Sequence, residues 1–301
     1  MVNILISGYY GFDNIGDESI LRTLVSSLRE HIPDCSLTVL SHNPASTREK
    51  YGVEAVDRMS PMAILRAVKK CDMLISGGGR LLQDVTSSKS LHYYLSIIRC
   101  AEFFHKKVFI YSQGIGPIDR PGNRRAAAAA LKRADGIVVR DERSASLLEE
   151  IGIARDKVVI TADPVIRMKK PDGDVGAEIL RKAGVSLDGR LTVGWAIRER
   201  DTDSRFVKEL LRSIQMMKDK YNAQSVLIPF HYEEDGEVCR HIAAQLPDDT
   251  AVCLNEKYLS EDMLSIIGNM DLLVGVRLHS LIYAAIMGVP LIGISYDPKC
   301  T

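Results

Sequence analysis

Val2-Asn3-Ile4-Leu5-Ile6-Ser7, running into Gly8-Tyr9-Tyr10-Gly11-Phe12-Asp13-Asn14-Ile15-Gly16-Asp17, decides how this chain is read. A short continuous apolar run that stops at glycine reads as a strand buried on both faces. Downstream, Leu21, Leu24, Val25 and Leu28 recur at helical spacing, so residues 17–31 read as an amphipathic helix with Asp17 as its N-cap. The pair is a strand–loop–helix unit, and its loop is rich in glycine and acidic residues.

The same unit repeats along the chain. Strands are expected at 36–41, 72–79, 107–114, 136–141 and 157–164, with helices at 61–70, 91–104, 123–134 and 142–151. Repeated β-α-β with unbroken apolar strands implies a parallel sheet covered on both faces. Right-handed crossovers then bring every strand's carboxyl end to one edge. A polar stretch, Met168-Lys169-Lys170-Pro171-Asp172-Gly173-Asp174, precedes a second series: strands at 191–197, 224–230, 250–254, 271–276 and 290–295, helices near 203–220, 235–245, 260–268 and 278–288. The expected organisation is α/β, with Rossmann-like domains over 1–168 and 190–301 and a linker at 169–189. Two such domains facing across a cleft make a GT-B-like architecture, with the active site in that cleft. The chain stops at Cys300-Thr301 soon after a strand that a doubly wound domain ordinarily covers with a helix, so a longer parent chain is expected.

Composition narrows the function. In 301 residues Lys plus Arg is 39 and Asp plus Glu is 39. A zero formal charge disfavours nucleic acid as a partner, which would call for a basic excess. The six cysteines form no C-x-x-C pair and no zinc spacing, so they read as free thiols of a reducing compartment. The N-terminus lacks the basic n-region and long apolar core of a signal peptide. Residues 281–294 are interrupted by Gly288-Val289-Pro290 and do not read as a membrane span. A cytoplasmic protein is expected.

Five constellations fall at strand ends, where open α/β sheets bind ligands. Asp13, Asn14 and Asp17 occupy the first loop. Its spacing is not that of a dinucleotide fingerprint. Gly77-Gly78-Gly79 ends another strand and implies close backbone approach, and the polar segment 80–90 after it reads as a mobile loop. Ser112-Gln113-Gly114-Ile115-Gly116-Pro117 ends a third. Arg140, before Asp141, can clamp a carboxylate or phosphate, or pair internally with Asp141 or Asp163. In Gly275-Val276-Arg277-Leu278-His279-Ser280 a strand delivers Arg277 and a helix opens with His279. An arginine supplies fixed charge, and a histidine carries a proton near neutral pH. Lys299, after the last strand, can reach the same place.

Taken in order, the Asp13-Asn14-x-Gly16-Asp17 core, Gly77-Gly78-Gly79, Ser112-Gln113-Gly114-x-Gly116-Pro117, Val139-Arg140-Asp141, Gly275 to Ser280 and Tyr296-Asp297-Pro298-Lys299 resemble the polysaccharide pyruvyl transferase family, and within it the members that modify N-acetylmannosamine for surface-layer attachment. The resemblance covers nearly the whole chain. It implies phosphoenolpyruvate as co-substrate, no cofactor, and a lipid-linked saccharide precursor as acceptor, met at the inner face of the cytoplasmic membrane. The product is a 4,6-linked pyruvate ketal, with phosphate released. On this reading Arg277, Arg140 and Lys299, with Gly78 and Gly114, bind the donor. His279 is the acid, Asp13 the base, and the two can exchange roles. Phe12, Tyr10 and Asn14 meet the acceptor sugar, and no metal is required. The rival readings are a nucleotide-sugar glycosyltransferase on the same architecture and a non-catalytic sugar- or nucleotide-binding protein.

Overall fold

The computed structural model describes residues 1–85, 87–198 and 204–295. The chain divides into two compact units. One comprises Met1–Phe12 and Asp17–Pro164; the other comprises Asp13–Gly16 and the described residues from Val165 onward.

The first unit runs β1 (Val2–Tyr10), α1 (Ile15–His31), β2 (Cys35–Ser41), α2 (Pro44–Tyr51), β3 (Glu54–Asp57), α3 (Pro61–Lys70), β4 (Met73–Gly77), α4 (Ser88–Phe103), β5 (Lys107–Gln113), α5 (Pro121–Leu131), β6 (Gly136–Val139), α6 (Glu142–Glu150) and β7 (Val158–Ile160). Its seven strands are ordered β3-β2-β1-β4-β5-β6-β7, and every pairing is parallel. Both faces are buried because side chains alternate along each strand. Ile4 and Ile6 join Leu21, Leu24 and Val25 of α1 on one side. Leu5 joins Leu74, Val108 and the α4 residues Leu91, Leu95 and Ile98 on the other.

Two elements, α2 and β3, have no counterpart in the sequence reading. The helix buries only Thr47 and Tyr51, so it shows no apolar period. Local caps specify it instead: the Asn43 side chain accepts from the Ser46 N–H, and Gly52 closes the helix at φ 61°. Within the segment 80–90, expected to be mobile, described residues are tied to the rest of the unit. Leu81 and Leu82 are buried, the Gly116 N–H donates to the Leu82 carbonyl at 2.7 Å, and the Asp84 carboxylate accepts from Asp119 N, Arg120 N and Asn123 Nδ2 at 2.9, 3.1 and 2.8 Å.

The second unit runs α7 (Val175–Lys182), β8 (Thr192–Ala196), α8 (Arg205–Tyr221), β9 (Gln224–Leu227), α9 (Tyr232–Ala243), β10 (Ala251–Cys253), α10 (Ser260–Gly268), β11 (Leu272–Gly275), α11 (Leu278–Met287) and β12 (Leu291–Gly293). Its five parallel strands are ordered β10-β9-β8-β11-β12. Within the stretch read as a linker, α7 packs on α10: the Gly176 N–H donates to Ser265 Oγ at 2.8 Å, and a Cβ on residue 176 would overlap the Ser265 backbone. In each sheet the strand order reverses direction once, at β1/β4 and at β8/β11. Those are the crevices where open parallel sheets accept ligands.

Candidate active site

In the second unit, β11 ends at Gly275, and α11 begins at Leu278 with Arg277 in the N-cap position. The helix comes close because residue 275 has no side chain: a Cβ there would crowd Ser280 Oγ and Leu281. Ser280 is buried and donates its hydroxyl to the Arg277 carbonyl at 2.6 Å, which sets the first turn. Arg277 is therefore held at a strand tip, at the N-terminus of a helix, where anions are favoured.

Its charge is not free. The Arg277 guanidinium makes a two-pronged contact with Asp235 of α9, Nε to Oδ2 at 3.0 Å and Nη2 to Oδ1 at 2.5 Å. The Asp235 side chain is 2% exposed, and its Oδ2 also accepts from Phe230 N and His231 N. Nη1 has no hydrogen-bond partner among the described residues. Arg277 thus presents a fixed, outward edge with most of its charge balanced behind it. Asp235 lies four residues past His231, the N-cap of α9. The sequence alone singles out neither: Asp235 stands at the expected start of the 235–245 helix, with no motif around it.

The segment Asp13–Gly16, where the chain leaves β1 and enters α1, clusters with these residues. Asn14 forms an antiparallel bridge with His231, and the Ile15 N–H donates to the Phe230 carbonyl at 2.9 Å. Gly16 lies against His279: a Cβ on residue 16 would overlap the imidazole, nearest at Nδ1. His279 is half-buried. Asp13 takes a left-handed backbone (φ 54°), which Asp tolerates better than most residues. Its carboxylate receives a 2.6 Å hydrogen bond from Lys257 Nζ. Lys257 follows β10 and was not singled out from the sequence. The bond to Asp13 is the largest reason its pKa is raised above the ordinary lysine value, so it remains a cation.

Several residues expected to meet a ligand have internal partners in this fold. Arg140 pairs with Asp163 at 2.6 Å, with both side chains about nine-tenths buried, so its charge is spent internally. Gly114 makes room for that pair, since a Cβ would stand 3.1 Å from Arg140 Nε and Nη2. Gly78 is buried against the Leu81 side chain. Tyr10 is buried in the core with its hydroxyl donated to the Gly77 carbonyl at 2.7 Å. Burial, then the charges of Asp17 and Glu18, push the phenol's pKa well up. Phe12 is stacked between Tyr9 and His42, which leaves no face for a sugar. The Asn14 side chain accepts from the Gly16 N–H at 3.1 Å, capping α1, which begins two residues before Asp17. Asp17 instead accepts from the Gly79 N–H at 3.2 Å. Lys299 lies outside the described residues.

Among the described residues no group of three or more His, Cys, Asp or Glu is placed to hold a metal ion. No described helix is long and apolar enough to cross a membrane.

With the strand-end geometry in hand, comparison with known proteins decides the family. The polysaccharide pyruvyl transferase model matches residues 14–298. The chain belongs to the polysaccharide pyruvyl transferase family. A curated relative is the amylovoran biosynthesis protein AmsJ of Erwinia amylovora, 21% identical over 99% of this chain and 84% of that protein. Among solved structures, the UDP-GlcNAc 2-epimerase of Methanocaldococcus jannaschii is similar with a TM-score of 0.72, at 12% identity over 99% of this chain and 85% of that one. Anabaena Alr3699/HepE, solved with UDP-glucose, gives 0.62 at 11% identity over 97% and 80%. These likenesses are of fold, and they agree with the expected α/β class and parallel Rossmann-like sheets. An enzyme that transfers pyruvate to a polysaccharide is what family membership assigns.

Proposed function

We propose that this member takes its pyruvyl group from phosphoenolpyruvate and places it on O4 and O6 of one pyranose, N-acetylmannosamine of a lipid-linked precursor. In that reaction the donor's C2 forms two bonds to sugar oxygens and loses its π bond to the methylene carbon and its bond to the phosphate oxygen. One hydroxyl proton ends on the donor's methylene carbon, making it a methyl group. The other leaves with phosphate.

The observation that supports the reading is the convergence of Arg277, His279 and Asp13 within one unit. The outward edge of Arg277, at the α11 N-terminus, suits an anionic donor group, and Asp235 fixes its orientation. His279, two residues into the same helix, suits proton delivery to the methylene carbon. Asp13 suits removal of a sugar hydroxyl proton, with Lys257 holding the carboxylate in place. The acid and base roles can exchange between the two.

The test is phosphate release from phosphoenolpyruvate with and without a lipid-linked N-acetylmannosamine disaccharide. Acceptor-dependent release that His279→Ala and Arg277→Ala abolish is the expected result. No acceptor-dependent release from the wild-type protein overturns it. The fold's likeness to proteins solved with UDP or its sugars keeps a nucleotide-sugar transferase as the rival. Thermal stabilisation by UDP but not by phosphoenolpyruvate would favour that rival.

A further inference from the structure

The carboxyl edge of the first sheet carries a stack of rings. Tyr9 and Phe12 are parallel within 5° at 4.1 Å, and Phe12 and His42 within 3° at 4.4 Å. Two parallel partners this close must lie on opposite faces of Phe12, since one face has room for one ring. The stack therefore ends on His42, the residue after β2.

His42 is exposed. Its backbone N–H donates to the Tyr10 carbonyl at 2.9 Å, but neither ring nitrogen has a hydrogen-bond partner among the described residues. Its ring is thus oriented by stacking alone, with both nitrogens available at the edge.

Arg58 braces the stack from within. It is 7% exposed and forms no ion pair among the described residues. Its guanidinium carbon lies 5.8, 5.1, 4.7 and 5.5 Å from the ring centroids of Tyr9, Phe12, Tyr93 and Tyr94. It donates to the Gly8 carbonyl at 2.9 Å and the Tyr94 hydroxyl at 3.2 Å, while Nε is buried without a partner. A buried cation without a carboxylate is rare. Here aromatic rings take the carboxylate's place, and the guanidinium is fixed against them.

We infer that the outer face of His42 is a carbohydrate-stacking subsite for a pyranose of the acceptor. The C–H face of a sugar ring lies on a π-face much as an aromatic ring does. Phe12, Tyr9 and Arg58 hold that imidazole in place before binding, so little ordering entropy remains to be lost. The cation of the cluster is buried and not displayed, which suits a neutral ring over a phosphate. That the sugar is an acceptor rests on the pyruvyl-transfer reading.

The experiment compares the full chain with His42→Ala and His42→Phe. Saturation-transfer NMR with the methyl glycosides of N-acetylmannosamine and N-acetylglucosamine reads binding directly. Steady-state kinetics read the acceptor and phosphoenolpyruvate KM separately. His42→Ala is expected to weaken saccharide binding and raise the acceptor KM about tenfold, with the phosphoenolpyruvate KM within twofold, and His42→Phe to restore most of both. Saccharide binding equal in wild type and His42→Ala, or saturation transfer to uridine in place of the saccharides, overturns the subsite. If wild type shows no acceptor-dependent turnover, the transfer reading fails while the binding arm still decides the subsite.

Discussion

The imidazole of His279 occupies the space in which a Cβ on residue 16 would stand. Two residues 263 positions apart in the chain are thereby matched in shape, and glycine at 16 is explained by contact: no left-handed backbone is recorded there. Gly16→Ala should displace the ring or the α1 start, at a cost of about 1–3 kcal/mol of overpacking. Thermal unfolding of Gly16→Ala, His279→Ala and the double variant tests this. The alanine at 16 should cost much less once the imidazole is gone. Equal costs in both backgrounds would remove the contact.

Asp235 and Arg277 should behave as one unit. Either alanine substitution leaves a largely buried charge without its partner, a loss of about 3–5 kcal/mol. The double variant should be more stable than the sum of the singles implies. Chemical denaturation measures all four proteins. Additive losses would mean that Asp235 acts on the α9 start through its bonds to the Phe230 and His231 N–H groups and not through Arg277.

The Asp13–Lys257 pair should matter to turnover far more than to stability. Lys257 is half exposed, so the pair contributes at most about 1 kcal/mol to folding. Lys257→Met should leave the melting temperature nearly unchanged while lowering kcat at least tenfold, as expected if it frees the Asp13 carboxylate to leave its position. The sign of the pH effect follows from a raised pKa. The pair's contribution is fully present below the ordinary lysine value of 10.5 and is lost only as the pH climbs through the higher folded value. Stability profiles of wild type and Lys257→Met should therefore run parallel through neutral pH and differ in slope only above 10.5. A slope difference near neutrality would rule this account out.

Arg140 should prove structural. Its bond to Asp163 lies in a site about nine-tenths buried on both sides. Arg140→Ala should cost about 3–5 kcal/mol by stranding Asp163. Arg140→Lys, which keeps the charge, should recover part of that stability and leave the phosphoenolpyruvate KM within twofold of wild type. A tenfold rise in that KM with unchanged stability would return Arg140 to the donor site.

The sequence by itself determined the α/β class, nearly every strand and helix, and which residues stand at the strand ends. The signals are local: apolar runs, helical spacing and glycine at turns act over a few residues. Helix α3 and helix α10 fall where their periodicity places them. Helix α2 does not announce itself, because caps and not an apolar face define it. Only the tertiary structure decided which charges are free. Arg140 and Arg277 look alike in sequence, each at a strand tip. Asp163 absorbs the first, while Asp235 holds the second by one edge and leaves the other outward. Lys257 and Asp13 are 244 residues apart, and no periodicity links them. Side-chain pairing of this kind depends on distances between segments that are far apart in the chain. It is fixed when the chain folds, which is why the strand-end positions of these residues were legible and their partners were not.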